Sequence, residues 1–161
     1  MGDLSDNFSE SEFKCPCCGE TKIKCKLIIA LEELRSSIHK PIKILSGYRC
    51  ERHNHEIGGA RQSRHLISDA SDIYVPGLSL MRLVMTALCV KAFENGGIGL
   101  YIPYKDGNRW RGNFLHVDVR PGAARWGDYK GQRIGFAQAM DLLKKYEENI
   151  EKAKKLLTGG K

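Results

Sequence analysis

The segment Phe114-Leu115-His116-Val117-Asp118-Val119 constrains the fold more than any other part of this chain. A strand sends residues i and i+2 to the same face. Leu115, Val117 and Val119 therefore demand a packed core, while Phe114, His116 and Asp118 are displayed together on the other side. An imidazole and a carboxylate side by side suit a metal site or an acid–base pair; they also suit a partly exposed sheet face with an incidental ion pair. A second run, Ser63 to Ile73, carries His65, Asp69 and Asp72 into another strand. Two histidines and a carboxylate, drawn from a loop, a strand start and a distant strand, form the donor set of a catalytic zinc site with one open position. Spacing alone does not choose between Asp69 and Asp72.

The rest of the chain supplies the elements of an α+β domain. Ser9-Glu10-Ser11-Glu12 has the form of a capping box and opens a short helix. Leu27, Leu31, Leu34 and Ile38 mark an amphipathic helix from Cys25 to Ile38, stopped by Pro41. Ile42 to Leu45 and Ala70 to Val75 read as strands. The polar, glycine-containing loop Ser46 to Arg64 between them is a place for substrate contacts. Ser79 caps a helix running to Glu94, ended by Asn95-Gly96-Gly97, and Cys89 inside it reads as core. Ile98 to Ile102 is a further strand, followed by a polar, basic connection from Pro103 to Gly112. Phe136, Met140, Leu143, Ile150 and Leu157 mark a long C-terminal helix over residues 134–157. The expected fold is a small, mainly antiparallel sheet flanked by helices. It forms a single domain over residues 1–161, with a short Cys-rich segment at 8–25.

Charge and cysteine usage narrow the setting. The net charge of +7 suits nucleic acid, an anionic cell-wall polymer or a membrane surface. No nucleic-acid recognition motif accompanies it, so no nucleic-acid partner is expected. Lys144, Lys145, Lys152, Lys154 and Lys155 interleave with Glu147, Glu148 and Glu151 as on a solvated helix face. No apolar run approaches the roughly 20 residues of a membrane span, so no membrane insertion is expected. Met1 to Glu12 is acidic and polar, unlike a secretory signal, which points to cytoplasmic synthesis. Six cysteines without a secretory context do not argue for a disulfide framework. Cys15, Cys17, Cys18 and Cys25 are candidates for a second, structural metal site, although no histidine lies nearby to complete them.

Taken in order, Ser46-Gly47-Tyr48-Arg49, Asn54, Ile57-Gly58-Gly59-Ala60, Ser63-Arg64-His65, Asp72-Ile73, Gly96 to Tyr101 and Phe114 to Arg120 resemble the zinc D-Ala-D-Ala carboxypeptidase and murein endopeptidase family. Hedgehog-type signalling domains share that fold. The likeness runs from Phe8 to Arg120 and is strongest to small bacterial and phage cell-wall peptidases, which open with a segment like Phe13 to Cys18. It implies His65, Asp72 and His116 as the ligands of one catalytic zinc, the carboxylate lying seven residues after the first histidine. It implies Ser63 in substrate binding, and Arg49 as both a substrate-binding and a catalytic group.

Relatives place a glutamate base three residues before the last zinc histidine, or a histidine two residues before it. Asn113 and Phe114 stand there in this chain, which makes Asp118 the expected general base. A further departure is Ser68-Asp69, where relatives carry glycine and a small residue. The implied activity is hydrolysis of peptidoglycan stem or cross-link peptides, of the D,D-carboxypeptidase or endopeptidase type, through a zinc-bound hydroxide. The implied enzyme is a monomer acting on the cell wall, as a phage lytic enzyme (endolysin) or virion enzyme. The change at Asn113 also fits a non-catalytic, zinc-binding virion or cell-wall-binding module of the same fold.

Overall fold

The computed structural model describes residues 2–158. Its strands are β1 (Lys43–Ser46), β2 (Ala70–Tyr74), β3 (Gly97–Tyr101), β4 (Tyr104–Asp106), β5 (Arg109–Arg111), β6 (Phe114–Asp118), β7 (Ala124–Tyr129) and β8 (Gln132–Ile134). Six of them form one sheet in the order β1-β2-β6-β3-β7-β8, while β4 and β5 pair apart as a hairpin. Every pairing is antiparallel except β3 with β7. The fold is therefore α+β around a mainly antiparallel sheet.

The two faces of that sheet differ as the period-two patterning requires. Ile73, Ile98, Leu100, Leu115 and Val117 point to one side, each with no exposed surface. There they meet Leu27, Leu31 and Leu34 of helix α1 (Cys25–Ile38), and Leu83, Val84 and Ala87 of a later helix, in one hydrophobic cluster. The apolar stripe of α1 is the one its sequence spacing predicts. Its last turn closes on His39 in the left-handed conformation, whose N–H donates to the Arg35 carbonyl at 3.1 Å, just ahead of Pro41. The opposite face of the sheet carries the polar residues and is left to the loops.

The structure differs from the sequence expectation in five places. The polar loop after β1 contains a short helix, α2 (Glu51–Glu56), capped by the Cys50 sulfur rather than by an oxygen. The expected helix from Ser79 to Glu94 is two helices, α3 (Leu80–Ala87) and α4 (Lys91–Glu94). Val90 leaves the helical conformation between them, and the bend buries both Val90 and Phe93. Cys89 sits at that bend and is exposed, not core. The basic connection after β3 folds as the β4–β5 hairpin, and residues 124–134, which carry little periodicity, extend the main sheet. The C-terminal helix, α5 (Phe136–Thr158), packs Ala139 and Leu143 onto the core, while its Lys- and Glu-rich end is exposed. Among the described residues no helix is long and apolar enough to cross a membrane.

Candidate active site

The register of the central strands assembles a polar site row by row. Asp72 of β2 stands opposite His116 of β6, His116 opposite Gly99 of β3, and Gly99 opposite Trp126 of β7. In the adjacent row Asp118 lies between Ala70 and Gly97. The two glycines are required by crowding. A Cβ on Gly99 would lie 2.3 Å from the Trp126 indole, and one on Gly97 would lie 2.0 Å from the Asp118 carboxylate. Without side chains there, Trp126 reaches to within 5.1 Å of the His116 ring, centroid to centroid.

His65 arrives from the 3-10 turn Arg64–Ile67 just before β2. That turn exits through Ser68 at φ 66°, a left-handed conformation that a glycine would adopt without strain. His65 Nε2 then lies 3.2 Å from His116 Nδ1 and 3.3 Å from Asp72 Oδ1, and His116 Nδ1 lies 2.9 Å from the same oxygen. Three donor atoms from three buried residues thus converge within 4.8 Å of one another.

The far side of each of these groups is held by the protein. His65 Nδ1–H donates to the Gly47 carbonyl at 2.7 Å, leaving Nε2 as the lone-pair nitrogen. His116 Nε2–H donates to Asp118 Oδ2 at 3.2 Å, leaving Nδ1 free to face the site. The Arg49 guanidinium donates to Asp72 Oδ2, so Oδ1 is the oxygen turned inward. Tautomer, ring orientation and carboxylate direction are all fixed from behind, as in sites that bind a metal ion. Burial raises the Asp72 carboxyl, but the two histidines outweigh it and hold the group well below the usual carboxylate range. Burial pushes His116 down, and Asp118 and Asp72 outweigh it in the upward direction. A dense, anionic donor set of this kind fits a divalent cation with nitrogen and oxygen preferences.

The site opens into a cleft of about 720 Å³. One wall is the segment from Ile57 to Arg64, anchored by Asn54, whose Nδ2 donates to the Ala60 carbonyl at 3.0 Å. The other wall brings Tyr101, Tyr104, Arg111, Phe114, Trp126, Asp128 and Arg133. Ser63 lines the cleft with a hydroxyl that makes no capping bond to the turn it starts. Arg49 also lines it, with Nε donating to the Ser46 hydroxyl at 2.8 Å. Five arginines border the cleft. Arg64 is bound to Asp69, Arg120 to Asp118, and Arg111 lies 3.6 Å from Asp106. Arg133 makes no ion pair among the described residues and stacks on Trp126 at 4.8 Å.

Two sequence expectations need correction. Asp118 is not placed to take a proton from a substrate. It is fully buried behind His116, and its oxygens accept from Gly97 N–H at 3.1 Å, Arg120 N–H at 3.0 Å and the Arg120 guanidinium at 2.5–2.9 Å. Burial raises this carboxyl, but His116 and Arg120 together hold it well below the usual range. Spacing two residues from His116 gave the right sheet face and the wrong side of the ring. The second correction concerns the cysteines. Cys25 stands exposed at the first turn of α1, outside the group formed by Cys15, Cys17 and Cys50.

Other assignments separate cleanly. Asp69 is turned away from the histidines and is held by Arg64 and by Lys24 Nζ at 3.2 Å, so Asp72 is the carboxylate that meets them. Asn113 faces the crevice between the β2–α3 turn and α5, not the cleft. Trp126, Tyr101, Asp128 and Arg133 escaped the sequence reading because the strands that carry most of them are short and weakly patterned.

Over residues 6–118 the chain matches the model of the family described as Peptidase M15. It is 34% identical over 92 residues to the peptidoglycan L,D-endopeptidase MepK of Escherichia coli (strain K12), and to the same extent to MepK of Shigella flexneri. Each match covers 54% of this chain and 44% of the relative, so the chain spans under half the length of the curated relatives it matches. The family match takes in Arg49, Ser63, His65, Asp72 and His116 and extends over well more than half of the sequence. The chain belongs to the Peptidase M15 family.

Proposed function

We propose that this chain is a zinc-dependent peptidase that hydrolyses peptide bonds of peptidoglycan cross-link or stem peptides. The observation that carries this reading is the convergence of His65 Nε2, His116 Nδ1 and Asp72 Oδ1 at the floor of the cleft, each held from behind. These three groups would hold a zinc ion, which would supply Lewis acidity at the floor of the cleft. Asp118 acts as a positioning residue that fixes the His116 ring. Arg49 orients Asp72 and borders the cleft, where its positive charge favours an oxyanion.

Tyr101 is raised by burial and by the Asp72 carboxylate, which keeps the phenol protonated and able to donate a hydrogen bond. Asp128 is the cleft carboxylate outside the metal-ligand set, and we assign it to proton transfer with the leaving amine. The names of the relatives support an L,D-endopeptidase over a D,D-carboxypeptidase. Mass spectrometry of muropeptides after digestion with the purified protein tests this: new termini within cross-link peptides are expected, and intact muropeptides at every pH would leave only the non-catalytic reading.

The arginine border supports a substrate with free carboxylates, which stem peptides carry. Arg133 is the member whose charge is not already matched by a protein carboxylate. Arg133→Ala is expected to raise KM for muropeptides about tenfold with kcat nearly unchanged, the size of one charge-assisted hydrogen bond of about 1.5 kcal/mol. An unchanged KM would remove Arg133 from substrate binding.

A further inference from the structure

The cysteines that the candidate active site does not use are gathered beside it. Cys15, Cys17 and Cys18 lie in the turn that follows the first 3-10 helix (Glu10–Phe13), and Cys50 is the N-cap of α2. Cys50 Sγ lies 3.7 Å from Cys15 Sγ and 3.4 Å from Cys17 Sγ. Cys18, exposed in the same turn, lies outside the three thiols whose sulfurs fall within 4.8 Å of one another. Two thiols of one turn have thus been brought onto a third that follows them by more than thirty residues in sequence.

Three of these sulfurs face N–H donors. Cys15 Sγ accepts from Cys50 N–H at 3.4 Å. Cys50 Sγ accepts from His53 N–H at 3.5 Å. Cys17 Sγ accepts from Arg52 Nε at 3.2 Å and Nη2 at 2.9 Å. Burial raises the Cys15 thiol, yet its donors outweigh that and lower it to about 6. Arg52 lowers Cys17 and the Glu20 backbone lowers Cys18, but burial and the neighbouring thiols outweigh both and leave these two raised. The turn itself is a metal-binding shape: Cys15 and Cys18 have Cys-x2-Cys spacing, and Gly19, at φ 74°, closes the turn with its N–H on the Cys15 carbonyl at 2.9 Å.

We propose that Cys15, Cys17 and Cys50, joined by Cys18 from the same turn as the fourth ligand, hold a second, structural zinc-class ion as a four-thiolate site, distinct from the His65–Asp72–His116 group. Binding displaces the thiol protons to solvent and moves no electrons. Arg52 lies against the resulting negative charge. The site clamps the N-terminal segment to the turn that carries Arg49, which directly precedes Cys50. The same seam is bonded by Tyr48 N–H to the Phe13 carbonyl at 2.9 Å. Its existence does not depend on the peptidase reading.

The test uses the full chain, purified under reducing conditions and titrated with Zn²⁺ or Co²⁺. The His65→Ala protein is expected to keep one equivalent of zinc and, with cobalt, to show the intense near-ultraviolet band of thiolate-to-metal charge transfer. Cys50→Ser is expected to lose that band and one equivalent of metal, whereas Cys25→Ser and Cys89→Ser lose neither. A His65→Ala protein with no thiolate band overturns the proposal, and this needs no cysteine variant to fold. So does an intact mass two hydrogens low, which reports a disulfide, or thiols at all four positions that react freely in the presence of zinc.

Discussion

His116→Ala is expected to abolish peptide hydrolysis and to remove the metal bound at the cleft. The side chain supplies the donor atom closest to Asp72 Oδ1, at 2.9 Å, and without it only His65 and Asp72 of the converging group remain. Losing a Lewis acid worth several kcal/mol corresponds to a fall in kcat of about a thousandfold or more. The fold should survive, because the apolar face of β6 is untouched and Asp118 keeps Arg120 and the Gly97 N–H as partners. Metal analysis of the purified variant, together with near-ultraviolet circular dichroism, separates lost metal from lost structure. Asp69→Asn is the contrasting control. Its carboxylate serves Arg64 and Lys24, so that variant should keep the cleft metal and turnover. Turnover at the parent rate in His116→Ala would end the metallopeptidase reading.

What the sequence could and could not disclose follows from the range of the forces involved. The strand Phe114–Asp118 and the helix Cys25–Ile38 were legible because each must bury one apolar face, and burial imposes a period. Helix α2 was not, since Glu-Arg-His-Asn-His-Glu has no apolar repeat and forms around a cap and a loop anchored by Asn54. Strand β7 was missed for a related reason. It is held by parallel pairing with β3 and by Trp126 filling the space over Gly99, which are contacts between distant segments. The same limit applied to the site. Resemblance to known peptidases pointed to His65, Asp72 and His116, but the side of the His116 ring that meets Asp118 depends on the room above Gly97. Among the cysteines, nearness in sequence suggested Cys25, whereas the chain path brings Cys50 to the turn at Cys15.

Asp118→Ala distinguishes a positioning carboxylate from a catalytic one. Asp118 accepts from Gly97 N–H, Arg120 N–H, the Arg120 guanidinium and His116 Nε2–H, and it has no exposed surface. Removing it strands a guanidinium and an imidazole N–H against a small void. Breaking a buried ion pair on one side costs about 3–5 kcal/mol. The Arg120 side chain is 26% exposed and recovers part of its hydration, so the lower end of that range, about 3 kcal/mol, is expected. For a chain of this size that corresponds to a fall in Tm of roughly 6–12 °C. Because His116 then loses the partner that fixes its tautomer, affinity for the cleft metal should drop about 10–100-fold, and activity should return when excess zinc is supplied. A general base would behave otherwise: Asp118→Asn would keep the parent Tm and metal affinity while kcat collapsed, and added zinc would restore nothing. The burial of Asp118 and its separation from the cleft favour the first outcome, in which the carboxylate acts through His116 and never meets the substrate.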